Sequence, residues 1–120
     1  MRALLSLLLA PAIASAQIAF PSGFPSDAVP FTSEALKQRL TGNVFLLKPV
    51  SGPEIRLQFR DADVFSNSGR NSNWGKWRID GSSVCIDWQQ GESYCNEARH
   101  VGDTVYWKRG NGEVAVLLFQ

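Results

Sequence analysis

The sequence predicts a mainly β domain, a small antiparallel barrel or sandwich of about seven to eight strands preceded by one short helix. Three observations carry this expectation. From Asn43 onward apolar and polar residues alternate in short runs. Turn residues interrupt those runs at roughly eight- to twelve-residue intervals. The one stretch of the chain with helical spacing before them is short, from Thr32 to Gly42.

The chain opens with Met1-Arg2, an apolar run from Ala3 to Ala10, and Ala14-Ser15-Ala16 ahead of Gln17, so residues 1–16 read as a Sec signal peptide. No cysteine follows to accept a lipid. The apolar core is too short for a bilayer of about 30 Å, and no later segment reaches about 18 uninterrupted apolar residues, so no membrane span is expected. The expected location is periplasmic or secreted. Loss of Arg2 with the signal leaves eleven basic groups against eleven acidic ones. Such a balance points away from nucleic-acid partners and from membrane-surface attachment.

Residues 17–31 hold Pro21, Pro25 and Pro30 with Phe20, Phe24 and Phe31, a composition that resists regular structure. This segment reads as an arm, either laid over the domain or free. The domain proper is expected over residues 32–120, a helix plus antiparallel strands. At its start Thr32 can cap a helix, Glu34 suits the positive end of the helix dipole, and Gly42 can end it. Phe31 and Leu36 occupy the positions of a hydrophobic staple, and Leu36 and Leu40 share a face.

Strands are expected at Val44–Lys48, Ile55–Arg60, Lys76–Ile79, Val84–Trp88, Ser93–Glu97, Thr104–Lys108 and Glu113–Phe119. Alternation is clearest at Ile55-Arg56-Leu57-Gln58-Phe59-Arg60, which puts Ile55, Leu57 and Phe59 on one buried face. Turns are read at Ser51-Gly52-Pro53, Asp80-Gly81 and Gly110-Asn111-Gly112. A three-residue loop at Gln89-Gln90-Gly91, with Gly91 left-handed, sets Cys85 opposite Cys95. In an oxidising compartment that pair is expected to form a disulfide. Ile86, Trp88 and Tyr94 on the other face are expected to cluster in the core.

Four tryptophans exceed what the packing of so small a domain needs. Trp77 and Trp88 read as core; Trp74 and Trp107 stand out as candidate binding residues. Trp74 ends an eight-residue polar stretch, Ser66 to Asn73, that reads as a loop. Arg70, Asn71 and Asn73 beside that indole suit a sugar or a partner protein. Asp61, Asp63, Asn67 and Asn71 offer oxygen ligands but lack calcium-loop order, so no metal is expected. Ser93, His100 and Asp103 make a triad on paper, without a nucleophile elbow or any other local signature. No phosphate loop, dinucleotide glycine pattern or zinc spacing is present, and no cofactor is expected.

Gly75-Lys76-Trp77, the turn at Asp80-Gly81, Cys85-Ile86-Asp87-Trp88 and then Cys95 together form a recognisable layout. Over roughly residues 40–109 the chain resembles small exported bacterial proteins of unknown function with this Gly-x-Trp, Cys-x-x-Trp, Cys pattern. The resemblance implies a calycin-like or lipocalin-like β-barrel resident in the cell envelope, and transfers no catalytic residue. Val105-Tyr106-Trp107-Lys108-Arg109-Gly110 followed by Val114-Ala115-Val116-Leu117 looks like the late strands of periplasmic lysozyme inhibitors. Those insert a basic residue from a Ser-Gly loop, which is missing here, with Arg99 the available charge.

The expectation is therefore a non-enzymatic barrel that binds a small molecule, a glycan or an envelope protein. Two alternatives accompany it: an inhibitor of a cell-wall hydrolase such as lysozyme, acting through Arg99, and a small hydrolase using His100.

Overall fold

The computed structural model describes residues 23–120, so the signal peptide read at residues 1–16 lies outside the described residues. The order of elements is β1 (Val29–Pro30), α1 (Ser33–Leu40), β2 (Val44–Lys48), β3 (Ile55–Phe59), β4 (Asp63–Ser68) and β5 (Asn71–Asp80). Then come β6 (Ser83–Trp88), β7 (Tyr94–Val101), β8 (Thr104–Lys108) and β9 (Val114–Phe119). Strands β2 to β9 run antiparallel, each beside the next, and β9 returns to pair with β2, Leu46 lying opposite Leu118. The result is a closed eight-stranded up-and-down barrel, which settles barrel over sandwich and leaves those strands no unpaired edge to protect. The added strand β1 continues the ladder on β7 beyond the point where β6 has ended, with Val29 opposite His100.

Alternation decides which side chains point inward. Phe45 and Leu47 on β2, Leu57 and Phe59 on β3, Val64 on β4, Trp77 on β5 and Ile86 on β6 form one buried cluster. Ala98, Trp107, Ala115 and Leu117 complete it from β7, β8 and β9. Phe59 sits at its centre, edge-on to Trp77 with ring centroids 5.1 Å apart and flanked by Phe45 at 6.2 Å and Trp107 at 6.4 Å. The Trp77 indole N–H is satisfied by the Arg60 carbonyl at 2.8 Å.

Helix α1 closes one end of the barrel. Thr32 caps it, its Oγ1 accepting from the Ala35 N–H at 3.2 Å. Leu36 and Leu40 are fully buried and join the barrel cluster together with Phe31. Polar ties hold the helix to that end: Ser33 Oγ donates to the Gly81 carbonyl at 3.0 Å, and Arg39 Nη1 to the Asp103 carbonyl at 3.4 Å. The following Gly42 N–H donates to the Phe59 carbonyl at 3.0 Å, anchoring the helix exit to β3.

The Cys85–Cys95 disulfide is present, its two residues paired directly across β6 and β7, with Gly91 at φ +98° in the connecting loop. Three expectations are corrected. The polar stretch from Ser66 to Asn73 is not a loop but most of a hairpin: β4 pairs with β5 from Asp63 opposite Lys76 to Ser68 opposite Asn71, around a two-residue turn at Gly69-Arg70. Gly69 supplies the positive φ of +60° which that turn requires. Strand β7 runs four residues further than expected, to Val101, because β1 and β8 both pair with its second half. Tyr94 leaves the core, at 46% exposure, because its strand position falls at the open rim.

The Gly-x-Trp pattern has a steric cause at Gly75. A Cβ there would lie 2.5 Å from the Asp87 carbonyl oxygen and 3.0 Å from Ile86 Cγ2, contacts that backbone cannot relieve. Gly75→Ala is expected to lose about 1–3 kcal/mol by overpacking, and Phe59→Ala about 3–5 kcal/mol. The Cys85→Ala/Cys95→Ala pair, which opens a link of sequence separation 10, is expected to lose up to about 2.5 kcal/mol. Urea unfolding of the oxidised domain measures all three, and a neutral Gly75→Ala would overturn the close-approach account.

Candidate ligand-binding site

With α1 filling one end, the inward side chains at the other end face a cavity of about 550 Å³. It is bounded by the loop between β6 and β7 and the turn between β8 and β9. Leu47, Ile55 and Leu57 form an aliphatic wall from β2 and β3. Trp88, Trp107 and Tyr94 face it from β6, β8 and β7. Trp107 is only 4% exposed and rests on Phe59 beneath. The Tyr94 ring lies across the rim against Gly110, where a Cβ would come within 3.2 Å of it.

Polar groups are set among these rings. Ser66 and Asn73 lie opposite each other on β4 and β5. Asn96, 4% exposed and the one buried polar side chain of the described residues, donates through Nδ2 to the Lys108 carbonyl at 2.9 Å. Among the described residues neither its Oδ1 nor the Trp107 indole N–H has a hydrogen-bond partner, which for groups so buried is costly unless something else meets them. Because Ala98 stands opposite Trp107, Asn96 is the diagonal neighbour of Trp107 on the inner wall. Arg109 also lines the cup, but its charge is answered by Glu113, Nη1 to Oε1 at 3.0 Å.

The rim is stiffened by Asn73. Its Nδ2 donates to the Gln90 carbonyl at 2.9 Å, while its Oδ1 accepts from the Gln90 N–H at 3.2 Å and from the Trp74 N–H at 2.9 Å. One amide thus ties the β4–β5 hairpin to the β6–β7 loop. Outside the rim a second hollow, about 440 Å³, lies over the hairpin between Phe65, Asn67, Ser72, Trp74 and Gln89. Trp74 is 40% exposed there and stands directly opposite Phe65, whose ring carries the Arg60 guanidinium 4.7 Å from its centroid.

The candidates read from the sequence therefore separate. Asn73 and Trp107 both line the cup, and Trp74 stands just over its rim. Arg70 and Asn71 are at the hairpin tip, exposed. Arg99 belongs to no loop: it is in the middle of β7, paired with Pro30 and Tyr106, bound to Glu97 at 2.8 Å and stacked on Phe24 at 4.4 Å. His100 is near the closed end, its ring 4.5 Å from that of Phe31 and its Nδ1 3.1 Å from the Gly102 carbonyl oxygen. Ser93 precedes the opposite end of the same strand, roughly 20 Å away at about 3.3 Å per residue, so Ser93, His100 and Asp103 form no triad. Asp63 pairs with Lys76 at 3.4 Å, and among the described residues no cluster of three His, Cys, Asp or Glu is placed to hold a metal.

Tyr94, Asn96, Trp88 and Arg109 were not singled out as site residues in the sequence. The signal for Asn96 is its position: an amide at an inward place of a strand, where alternation demands an apolar residue. No helix among the described residues is long and apolar enough to cross a membrane. No protein-family model matches the chain, and no curated protein and no solved structure matches it. Of what the Gly-x-Trp, Cys-x-x-Trp, Cys layout implied, the structure shows a small β-barrel, and it carries a disulfide.

Asn73→Ala is expected to leave the fold standing with a loss of about 1 kcal/mol, while the β6–β7 loop loosens. Amide hydrogen exchange at Gln90 and Trp74 measures this. Unchanged protection at both would show that the loop is held by something other than Asn73.

Proposed function

We propose that this chain is an exported, non-enzymatic binding protein that holds a small ligand in the open end of its barrel. The observation that carries the reading is the unequal treatment of the two ends. One is plugged by Leu36 and Leu40, and the other opens on about 550 Å³ lined by aromatic rings with a few convergent polar groups. Binding sites for small molecules are typically about 300–1,000 Å³, mostly preformed, and built of such linings. Strands on all sides and the Asn73 tie to Gln90 hold the cup in shape before any ligand arrives, which lowers the ordering cost of binding. The leader at residues 1–16 and the Cys85–Cys95 disulfide support an oxidising, extracytoplasmic location.

A binding role also accounts for what a structural role leaves idle, namely an indole N–H and an amide oxygen without partners among the described residues, on two buried residues that line the cup. The hydrolase reading finds Ser93 at the opposite end of β7 from His100, and the inhibitor reading finds Arg99 held within β7 and paired with Glu97.

The test is a compound-library screen by amide chemical-shift mapping on the oxidised domain, with Ser66→Phe as the blocked cup. A bound compound is expected to shift Asn96, Trp107 and Tyr94 and to change indole fluorescence, and both effects are expected to vanish in Ser66→Phe. Shifts confined to the Arg70-Asn71 tip, or to the hollow of about 700 Å³ between Glu34, Lys37 and Gln38 of α1 and Arg78 and Ile79 of β5, with the cup silent throughout, would overturn the assignment.

A further inference from the structure

We infer that the ligand is a chain of neutral sugar units, with its end in the cup and its next unit laid over the rim against Trp74. The inference rests on the cup reading and extends it. The inner cavity and the outer hollow share Ser66, Asn73 and Gln90, so they adjoin at the rim, on either side of the Asn73–Gln90 tie, and a ligand can run from one to the other over it. Each half presents an indole, Trp107 with Trp88 inside and Trp74 outside. A compact ligand would use only one. A ligand with repeating flat faces uses both.

The polar chemistry along the path is almost wholly uncharged. Serine hydroxyls and carboxamides line it on both sides of the rim, the Arg109 charge is already matched by Glu113 at 3.0 Å, and the one other charge in the cup is the carboxylate of Glu92 in the β6–β7 loop. An anionic ligand would find no cation in the cup that is not already paired, and a cationic one only Glu92 in the loop, whereas a polyhydroxylated ligand finds donors and acceptors along the whole path. The two buried groups without a partner among the described residues fit the same chemistry. A hydroxyl both accepts and donates, so one sugar hydroxyl can take the Trp107 N–H and give its own proton to Asn96 Oδ1, two groups on diagonally adjacent inner positions. A peptide would be recognised more simply by strand addition, but barrel strands β2 to β9 are paired on both sides.

The experiment titrates the full mature chain, disulfide intact, with two neutral series, N-acetylglucosamine oligomers and glucose oligomers of one to four units. Calorimetry and amide shifts are the readouts. Affinity is expected to rise with length in at least one series, the longer oligomers shifting Trp74 as well as Trp107. In Trp74→Ala the gain with length is expected to fall by about three- to tenfold, the range a lost aromatic contact allows, and in Trp74→Phe to be retained. Equal affinity for one unit and for four, or an unchanged gain in Trp74→Ala, would overturn the path over the rim and leave the cup intact. If neither series binds while an unrelated compound or an uncharged peptide fills the cup, the sugar assignment fails alone. If nothing enters the cup, the assignment and the reading beneath it fail together.

Discussion

The structure depends first on the burial of Phe59. Its ring is 1% exposed and meets Phe45, Trp77 and Trp107, which come from β2, β5 and β8 and so from well-separated parts of the barrel wall. Its backbone is engaged as well, the N–H donating to the Asn43 carbonyl and its own carbonyl accepting from Gly42, both at 3.0 Å. One residue therefore joins the helix exit, the first barrel strand and the aromatic core. On the helix side of that ring the interior is filled by Leu36 and Leu40. On the far side it supports Trp107 and the interior is hollow, so the plug and the cup are two faces of the same packing decision.

That division explains why the polar residues of the rim are tolerated. Ser66 and Asn73 occupy inward positions, which in the filled half would be destabilising. In the hollow half they face solvent or a ligand, and Asn73 recovers hydrogen bonds by bracing Gln90. Asn96 is the harder case, since it is buried and only half satisfied among the described residues. On the proposed reading, an amide at this inward place is a cost set against recognition, in the way that functional positions commonly depart from local rules.

Much of this was legible in the residues. The strict alternation of Ile55 to Arg60, the cap at Thr32, the staple of Phe31 with Leu36 and the opposed cysteines each follow from local spacing, and each stands in the structure. Strand β4 and the first half of β5 were not, because Ser66, Asn67, Ser68, Asn71, Ser72 and Asn73 carry no apolar alternation at all. The barrel forms that hairpin by closing its wall, a long-range demand that overrides the loop-like composition. The cup was half legible: surplus tryptophans pointed to Trp74 and Trp107, but which of them faces inward depends on the register of a wall that a single strand does not reveal. Tyr94 shows the same limit, since its inward parity is plain from the sequence whereas its place at the rim depends on where the barrel stops.

Closure through β9 and β2 has a consequence for how the molecule comes to exist. The first and last strands of the barrel are mutual neighbours, Leu46 beside Leu118 across more than half the chain. Every other wall contact can form between strands made one after another, but the wall remains an open, curling sheet until Leu117 and Leu118 arrive. A contact so distant in sequence makes folding slow, and the cavity has no existence until β9 is made, because the strand that completes it comes last among the eight of the barrel.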